Sequence, residues 1–166
     1  MERALAGVAG IRFAGQPEAR GSADAVLRAG VEPPYLVLGA DTMFTTGDVK
    51  RFLDAVTGSD GAVAVRRDPP PDPPHRYAVR IEQGRVTKVL DDDPANPLAG
   101  APLWLVGDAV AEHLGRLPGP PYELKDALQR AVDSGARIAG VEIGRTRDLT
   151  FPLDLVVENF PYLRDL

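Results

Sequence analysis

Two aspartates in this sequence follow apolar, strand-like runs, where a carboxylate can hold a hard cation. Asp41 comes shortly after the run Tyr35–Leu38, and Asp148 comes after the run at 137–143. Open α/β sheets bind ligands at the carboxyl ends of their strands, and carboxylate oxygens suit Mg²⁺. Two such aspartates can share one Mg²⁺ with substrate phosphates. The simpler alternatives are that Asp41 caps a turn and that Asp148 pairs with a neighbouring arginine.

A glutamine, a glycine and a serine lie at the entrance to a predicted helix. Gln16 and Gly21 precede the helix predicted over 22–29, in which Ser22 is a possible N-cap. Glycine lets the backbone approach a ligand closely, and a helix N-terminus attracts anions. A glutamine side chain both donates and accepts, which suits the edge of a nucleobase. The alternative is an ordinary capped turn between a strand and a helix.

The bulk composition excludes several classes of function. The 166 residues are 44% hydrophobic, which is enough for the core of one domain over residues 1–166. A net charge of −5 offers no basic field for nucleic acid, and the absence of cysteine excludes disulfides and thiolate metal sites. No apolar run approaches the ~18 residues of a membrane span, and the start is unlike a signal peptide. We expect a cytoplasmic protein that binds neither nucleic acid nor a membrane.

Strand and helix patterns alternate along the chain, which predicts an α/β fold. The segment at 77–82 and the segment at 85–90 flank Gln83 and Gly84, so they form a predicted hairpin. A polar loop is predicted at 91–100. We expect a Rossmann-like, mostly parallel sheet with helices on both faces and an inserted β-hairpin. The other predicted strands are at 11–14, 35–38, 62–65, 103–106 and 137–143, and the predicted helices are at 22–29, 46–56, 108–114, 123–134 and 152–160.

The order and spacing of these motifs resemble the sugar-1-phosphate nucleotidyltransferase family, whose enzymes join an NTP to a sugar 1-phosphate and release pyrophosphate. Segment 16–25 is similar to the family element Q-x-x-x-x-G-T-A-x-A, with serine in place of the threonine. Segment 35–41 resembles the strand that ends in G-D, with one alanine inserted before the aspartate. Segment 148–155 resembles the closing element D-x-G/T-x-P-x-D-L.

The resemblance implies roles for the residues that match these motifs. It implies that nucleotide is bound by Gln16, Gly21 and Ser22. It also implies that Asp41 and Asp148 are the catalytic residues and hold Mg²⁺ as cofactor. The substrates would be a nucleoside triphosphate and a sugar 1-phosphate.

Four further residues match the substrate side of the family. Tyr77 and Ala78 resemble the Y-G-V element beside the sugar, with Ala78 in place of its glycine. Asp92 begins the segment that lies where the family has E-K-P, and Asp93 replaces the lysine that would face the sugar phosphate. Glu123 begins the match to E-L-T-D-A. The resemblance implies substrate contacts for Tyr77, Ala78, Asp92 and Glu123.

The family also opens with a glycine-rich G-x-G-T-R loop and a P-x-x-K-P segment, and neither occurs in this sequence. The first strands of the family's sheet are therefore expected to be missing, which would leave unpaired strand edges. Three functions stay open. The first is a nucleotidyltransferase whose missing segment is supplied by a further stretch of chain or by a partner chain, with a homo-oligomer as another partner. The second is a non-catalytic nucleotide-binding or regulatory relative or partner subunit. The third is an inactive fragment.

Overall fold

The structure is a computed structural model, and it describes residue 5, residues 7–67 and 78–149, and residues 152–153. The helices with described bounds are α1 (Ser22–Ala29), α2 (Asp48–Ala55), α3 (Asp108–Leu114) and α4 (Leu124–Asp133). The strands are β1 (Tyr35–Leu38), β2 (Thr42–Met43), β3 (Gly61–Arg67), β4 (Ala78–Glu82), β5 (Arg85–Asp91), β6 (Leu98–Val106), β7 (Ile138–Ile143) and β8 (Arg147–Asp148).

The main sheet has the strand order β1-β6-β3-β7-β5-β4, and β2 and β8 form a second, two-stranded sheet. Strand β6 lies between β1 and β3 and runs antiparallel to both, while β3 and β7 are parallel. The prediction of a mostly parallel sheet is therefore wrong: the sheet is mixed. Strands β1, β3 and β7 still run in one direction, so their carboxyl ends lie at the same edge.

Helices cover both faces of the main sheet, as predicted. Alternate residues of β3 point to opposite faces, as they must in a strand. Val63 and Val65 belong to a core with α3 and α4. Ala62 belongs to a second core, around Phe52 of α2. Because both faces of β3 are buried, its residues 61–65 are continuously apolar rather than alternating.

The inserted hairpin forms as predicted, and its turn explains why. Gln83 and Gly84 both have positive φ, 51° and 77°. Two successive residues of positive φ match the twist of the flanking strands, and this is the geometry of the tightest hairpin turns. The predicted polar loop at 91–100 is shorter than expected, because β5 continues to Asp91 and β6 begins at Leu98.

The strand predicted at 11–14 is wrong. These residues form no strand in the structure, and the side chains of Ile11 and Phe13 are 40% and 45% exposed. A short apolar run becomes a strand only where a neighbouring strand accepts its hydrogen bonds. The helix predicted at 152–160 lies outside the described residues except for 152–153. Within the described part of the chain, no helix has the length and apolar character needed to cross a membrane.

Candidate functional site

The two predicted metal aspartates lie side by side in the backbone. Asp148 of β8 is the ladder partner of Thr42 in β2, the residue that follows Asp41. The Leu149 N–H also donates to the Asp41 carbonyl oxygen at 2.7 Å. The structure thus joins two positions that are far apart in sequence, at the edge where β1 and β7 end. The Asp41 residue is exposed to solvent.

The chain leaves β1 through a glycine that is packed closely against Pro102. A Cβ on Gly39 would lie 2.9 Å from the Pro102 Cβ and 3.2 Å from the Asp41 Oδ1. The Gly39 N–H donates to the Pro102 carbonyl oxygen at 2.8 Å, which extends the β1–β6 pairing by one bond. Gly39 therefore lets the backbone turn tightly against β6, and that turn sets where Asp41 lies.

The exposed carboxylate of Asp41 is an oxygen donor of the kind that a hard cation such as Mg²⁺ prefers. Mg²⁺ usually binds one or two protein carboxylates and fills its other positions with water and substrate phosphates. Among the described residues, no group of three or more His, Asp or Glu side chains could enclose a metal ion.

A buried carboxylate that the sequence analysis missed holds the segment before β8. Asp48, the first residue of α2, is fully buried, and its Oδ1 and Oδ2 accept the Gly144 N–H at 3.2 and 3.1 Å. Arg51 donates to its Oδ1 at 3.2 Å. The available signal was spacing: Asp48 lies four residues before Phe52, on the buried face of the same helix.

Two more contacts fix the same segment. The Thr45 Oγ1 donates to the Arg145 carbonyl oxygen at 3.4 Å. Arg66, buried at the end of β3, donates through Nη1 to the Thr146 Oγ1, and Thr146 is buried as well. Hydrogen bonds from β3 and from the α2 region therefore hold the chain between β7 and β8.

Gln16 uses both hydrogens of its side-chain amide within its own loop. Its Nε2 donates to the Gly21 carbonyl oxygen at 3.0 Å and to the Asp24 Oδ2 at 2.8 Å. Arg28 also donates to the Asp24 Oδ2, at 2.8 Å. The hydrogen bonds from Gln16 and Arg28 lower the pKa of Asp24 below its usual value. Gln16 thus ties the loop at 16–21 to the first turn of α1.

Ser22 is not the N-cap of its own helix. Gly21 occupies the N-cap position of α1, and Ser22 is the first helical residue. The Ser22 hydroxyl instead serves the start of α4: it accepts the Leu124 N–H at 2.8 Å and donates to the Glu123 Oε2 at 2.7 Å. Since Glu123 makes no side-chain capping bond, Ser22 supplies an acceptor that this helix N-terminus needs.

The predicted close approach at Gly21 is made to the protein's own chain. Gly21 has φ 108° and ψ 167°, and a Cβ there would lie 2.7 Å from the Tyr122 backbone nitrogen. The Ala23 N–H donates to the Tyr122 carbonyl oxygen at 2.9 Å, and the Tyr122 N–H donates to the Arg20 carbonyl oxygen at 2.8 Å. The loop before α1 and the loop before α4 are therefore fastened together.

Two of the remaining predicted substrate residues, Ala78 and Asp92, lie on or next to the hairpin. Tyr77 is outside the described residues. Ala78 is buried in β4 and pairs with Asp91 of β5 and with Ala99 of β6. Asp92 is exposed, and Lys88 donates to its Oδ1 at 2.7 Å.

The predicted site residues therefore fall into three groups. Gln16, Gly21, Ser22 and Glu123 are joined by hydrogen bonds, which none of the sequence motifs taken alone predicted. Asp41 and the backbone of Asp148 form a second group, and the hairpin residues a third. In the described ranges, no hydrogen bond joins the first group to the second.

The architecture is that of known enzymes. No protein-family model and no curated protein sequence matches the chain. Among solved structures, an inositol-1-phosphate CTP transferase from T. maritima matches 98% of this chain and 70% of its own length, with a TM-score of 0.79 and 18% identity. A UDP-glucose pyrophosphorylase, solved with UDP-glucose, matches 99% of this chain and 72% of its own length, with a TM-score of 0.80 and 17% identity. The chain has the fold of these sugar-phosphate nucleotidyltransferases.

Proposed function

We propose that this protein joins a nucleoside triphosphate to a sugar 1-phosphate and releases pyrophosphate. Two findings support the proposal. The fold is shared with two nucleotidyltransferases at TM-scores of 0.79 and 0.80. The observation that carries the proposal is the backbone adjacency of Asp41 and Asp148 at the carboxyl edge of the sheet, where α/β folds bind ligands.

In the proposed reaction, an oxygen of the sugar phosphate attacks the α-phosphorus of the NTP. One P–O bond forms there, the bond to the β-phosphate bridging oxygen breaks, and pyrophosphate leaves. We assign Asp41 and Asp148 to hold Mg²⁺, which would offset the charge of the phosphates when bound. Transfer of this kind depends mainly on positioning and electrostatics, which is why fixed carboxylates matter more than a nucleophilic side chain.

We assign nucleotide binding to Gln16, Gly21 and Ser22, with an ordering role for the glutamine. Because its Nε2 already holds Gly21 and Asp24, Gln16 fixes the shape of the loop as well as offering its carbonyl oxygen. On the family resemblance, we assign contacts with the sugar phosphate to four residues: Tyr77, Ala78, Asp92 and Glu123. The bond from Ser22 to Glu123 then links the nucleotide loop to the substrate side.

Pyrophosphate release across a panel of NTPs and sugar 1-phosphates, with Mg²⁺ present, tests the proposal. We expect release with at least one pair. Asp41→Asn should then reduce kcat about 100-fold or more, as removal of a group that stabilises transition-state charge commonly does. Asp54→Asn is the matched control, because Asp54 is an exposed aspartate of α2 that pairs with Lys50. Full turnover in Asp41→Asn would remove the metal role.

A non-catalytic nucleotide-binding relative is the second candidate. The departures from the family pattern favour it: Ala78 is buried where the family has glycine, and Asp93 stands where the family has a lysine. The Asp93 carboxylate instead lies 3.6 Å from the Arg80 guanidinium. Calorimetry of NTP binding, together with the pyrophosphate assay, decides between the two. NTP binding without pyrophosphate release for any sugar phosphate would support the binding protein and refute the enzyme.

A further inference from the structure

A fully buried carboxylate stands out because the predicted chemistry does not use it. The side chain of Asp48 is 1% exposed, while the guanidinium of its partner Arg51 reaches solvent at 60% exposure. Burying a charge is unfavourable unless hydrogen bonds satisfy it. The bonds that satisfy Asp48 therefore show what the carboxylate holds in place.

Its main partner is a backbone amide, not another side chain. The Gly144 N–H lies 3.2 and 3.1 Å from the Asp48 Oδ1 and Oδ2. Gly144 directly follows the last residue of β7 and precedes Asp148 by four residues. The Asp48 carboxylate thus binds the chain where the chain leaves the main sheet and turns toward β8.

Gly144 is packed closely against the residues that bind this segment. A Cβ on Gly144 would lie 2.8 Å from the Thr45 Oγ1 and 3.0 Å from the Asp48 Oδ2. Thr45 in turn donates to the Arg145 carbonyl oxygen at 3.4 Å, so its hydroxyl holds the next residue. From there the chain enters the β2–β8 ladder, where Thr42 faces Asp148.

We propose that Asp48 is a positioning residue, which sets the path of the segment 144–148 and thereby brings Asp148 beside Asp41. The inference rests on the proposed function only in taking these two aspartates as the cation site. The side-chain hydrogen bonds described for Asp48 go to Gly144 and Arg51, not to Asp41. The effect of Asp48 passes through the Gly144 amide and the backbone that follows it.

Binding of Mn²⁺ alone, followed by electron paramagnetic resonance, tests this without any turnover. Asp48→Asn keeps one oxygen acceptor of nearly the same shape but removes the charge. We expect its Kd for Mn²⁺ to rise about 10-fold, the size typical of losing a partner that orients metal ligands. We also expect faster hydrogen exchange at the Leu149 amide, which donates to the Asp41 carbonyl oxygen at 2.7 Å.

The chain offers a matched control at the other end of β7. Asp60 accepts the Arg137 N–H at 2.8 Å and also pairs with the Arg137 guanidinium, much as Asp48 binds Gly144 and Arg51. Asp60→Asn should lower the melting temperature and leave the Kd for Mn²⁺ unchanged. An equal rise in Kd for both variants would overturn the inference, because general destabilisation would then explain it.

Should Asp48→Asn fail to fold, Gly144→Ala tests the same contact by pushing the segment away from Asp48 and Thr45. An unchanged Kd for Mn²⁺ in a folded variant of either kind would overturn the proposal. If Asp48→Asn binds Mn²⁺ more weakly than the wild type, but the wild type releases no pyrophosphate, the role of Asp48 is supported and the enzyme is refuted. Mn²⁺ binding that Asp41→Asn leaves intact would overturn the cation site itself, and the inference with it.

Discussion

Replacing Gly21 by alanine separates its packing role from a ligand-binding role. Gly21 has φ 108° and ψ 167°, a conformation that is almost confined to glycine and costs another residue about 1–3 kcal/mol. The new Cβ would also meet the Tyr122 backbone, at 2.7 Å from its nitrogen, and crowding of a packed site costs about 1–3 kcal/mol. We expect Gly21→Ala to lower the free energy of unfolding by about 2–6 kcal/mol in total.

The control is Gly30→Ala at the other end of α1. Gly30 also has positive φ, 59°, but nothing lies within 4 Å of the position of its Cβ. Its replacement should cost only the left-handed backbone strain, about 1–2 kcal/mol. Urea denaturation of both variants measures the difference, which reports the contact with Tyr122 together with any greater backbone strain at Gly21.

Equal losses of stability in the two variants would refute the packing argument. A stable Gly21→Ala protein with weakened NTP binding would show that the glycine makes room for a ligand instead. A large loss of stability that NTP does not restore agrees with the contact seen here. The comparison therefore shows whether Gly21 is needed for stability, for ligand binding, or for both.

The other predictions concern the helix α4 and the hairpin. Ser22→Ala should lower the free energy of unfolding by about 1 kcal/mol, as loss of a capping oxygen does. The Leu124 amide should also exchange its hydrogen faster, and an unchanged exchange rate would contradict a capping role for Ser22. Burial raises the pKa of Asp91, but hydrogen bonds from Asn96 and Arg80 outweigh it and hold that pKa below its usual value. Because the folded-state pKa is lowered, this contribution to stability is present above the unfolded pKa of about 4 and is lost as pH falls through the folded pKa. Asn96→Ala should therefore raise the NMR titration midpoint of the Asp91 carboxyl and move the acid loss of stability to higher pH. An unchanged midpoint would show that the Asn96 hydrogen bond does not lower the Asp91 pKa.

Local pattern was enough to place several elements and to single out Asp41 as a candidate. Helix α3 has the predicted bounds, and helix α4 lies within the range predicted at 123–134 and is followed by Gly135, with φ 88°. Gln83 and Gly84 predicted the hairpin. Asp41 stood out because a carboxylate follows a continuously apolar run. These features depend on residues within a few positions of one another, so the sequence alone determined them.

Only the tertiary structure decided which strands are neighbours and which polar groups meet. The sheet is mixed because β6 lies between β1 and β3, and no local periodicity reports the partner of a strand. For the same reason, no local pattern indicated that Ser22 would cap the start of α4 or that Asp48 would bind the Gly144 amide. Each of these bonds spans about 100 positions of the chain, with separations of 102 and 96. Hydrogen bonds over such distances depend on how the sheet brings remote loops together, and that is settled only when the chain packs.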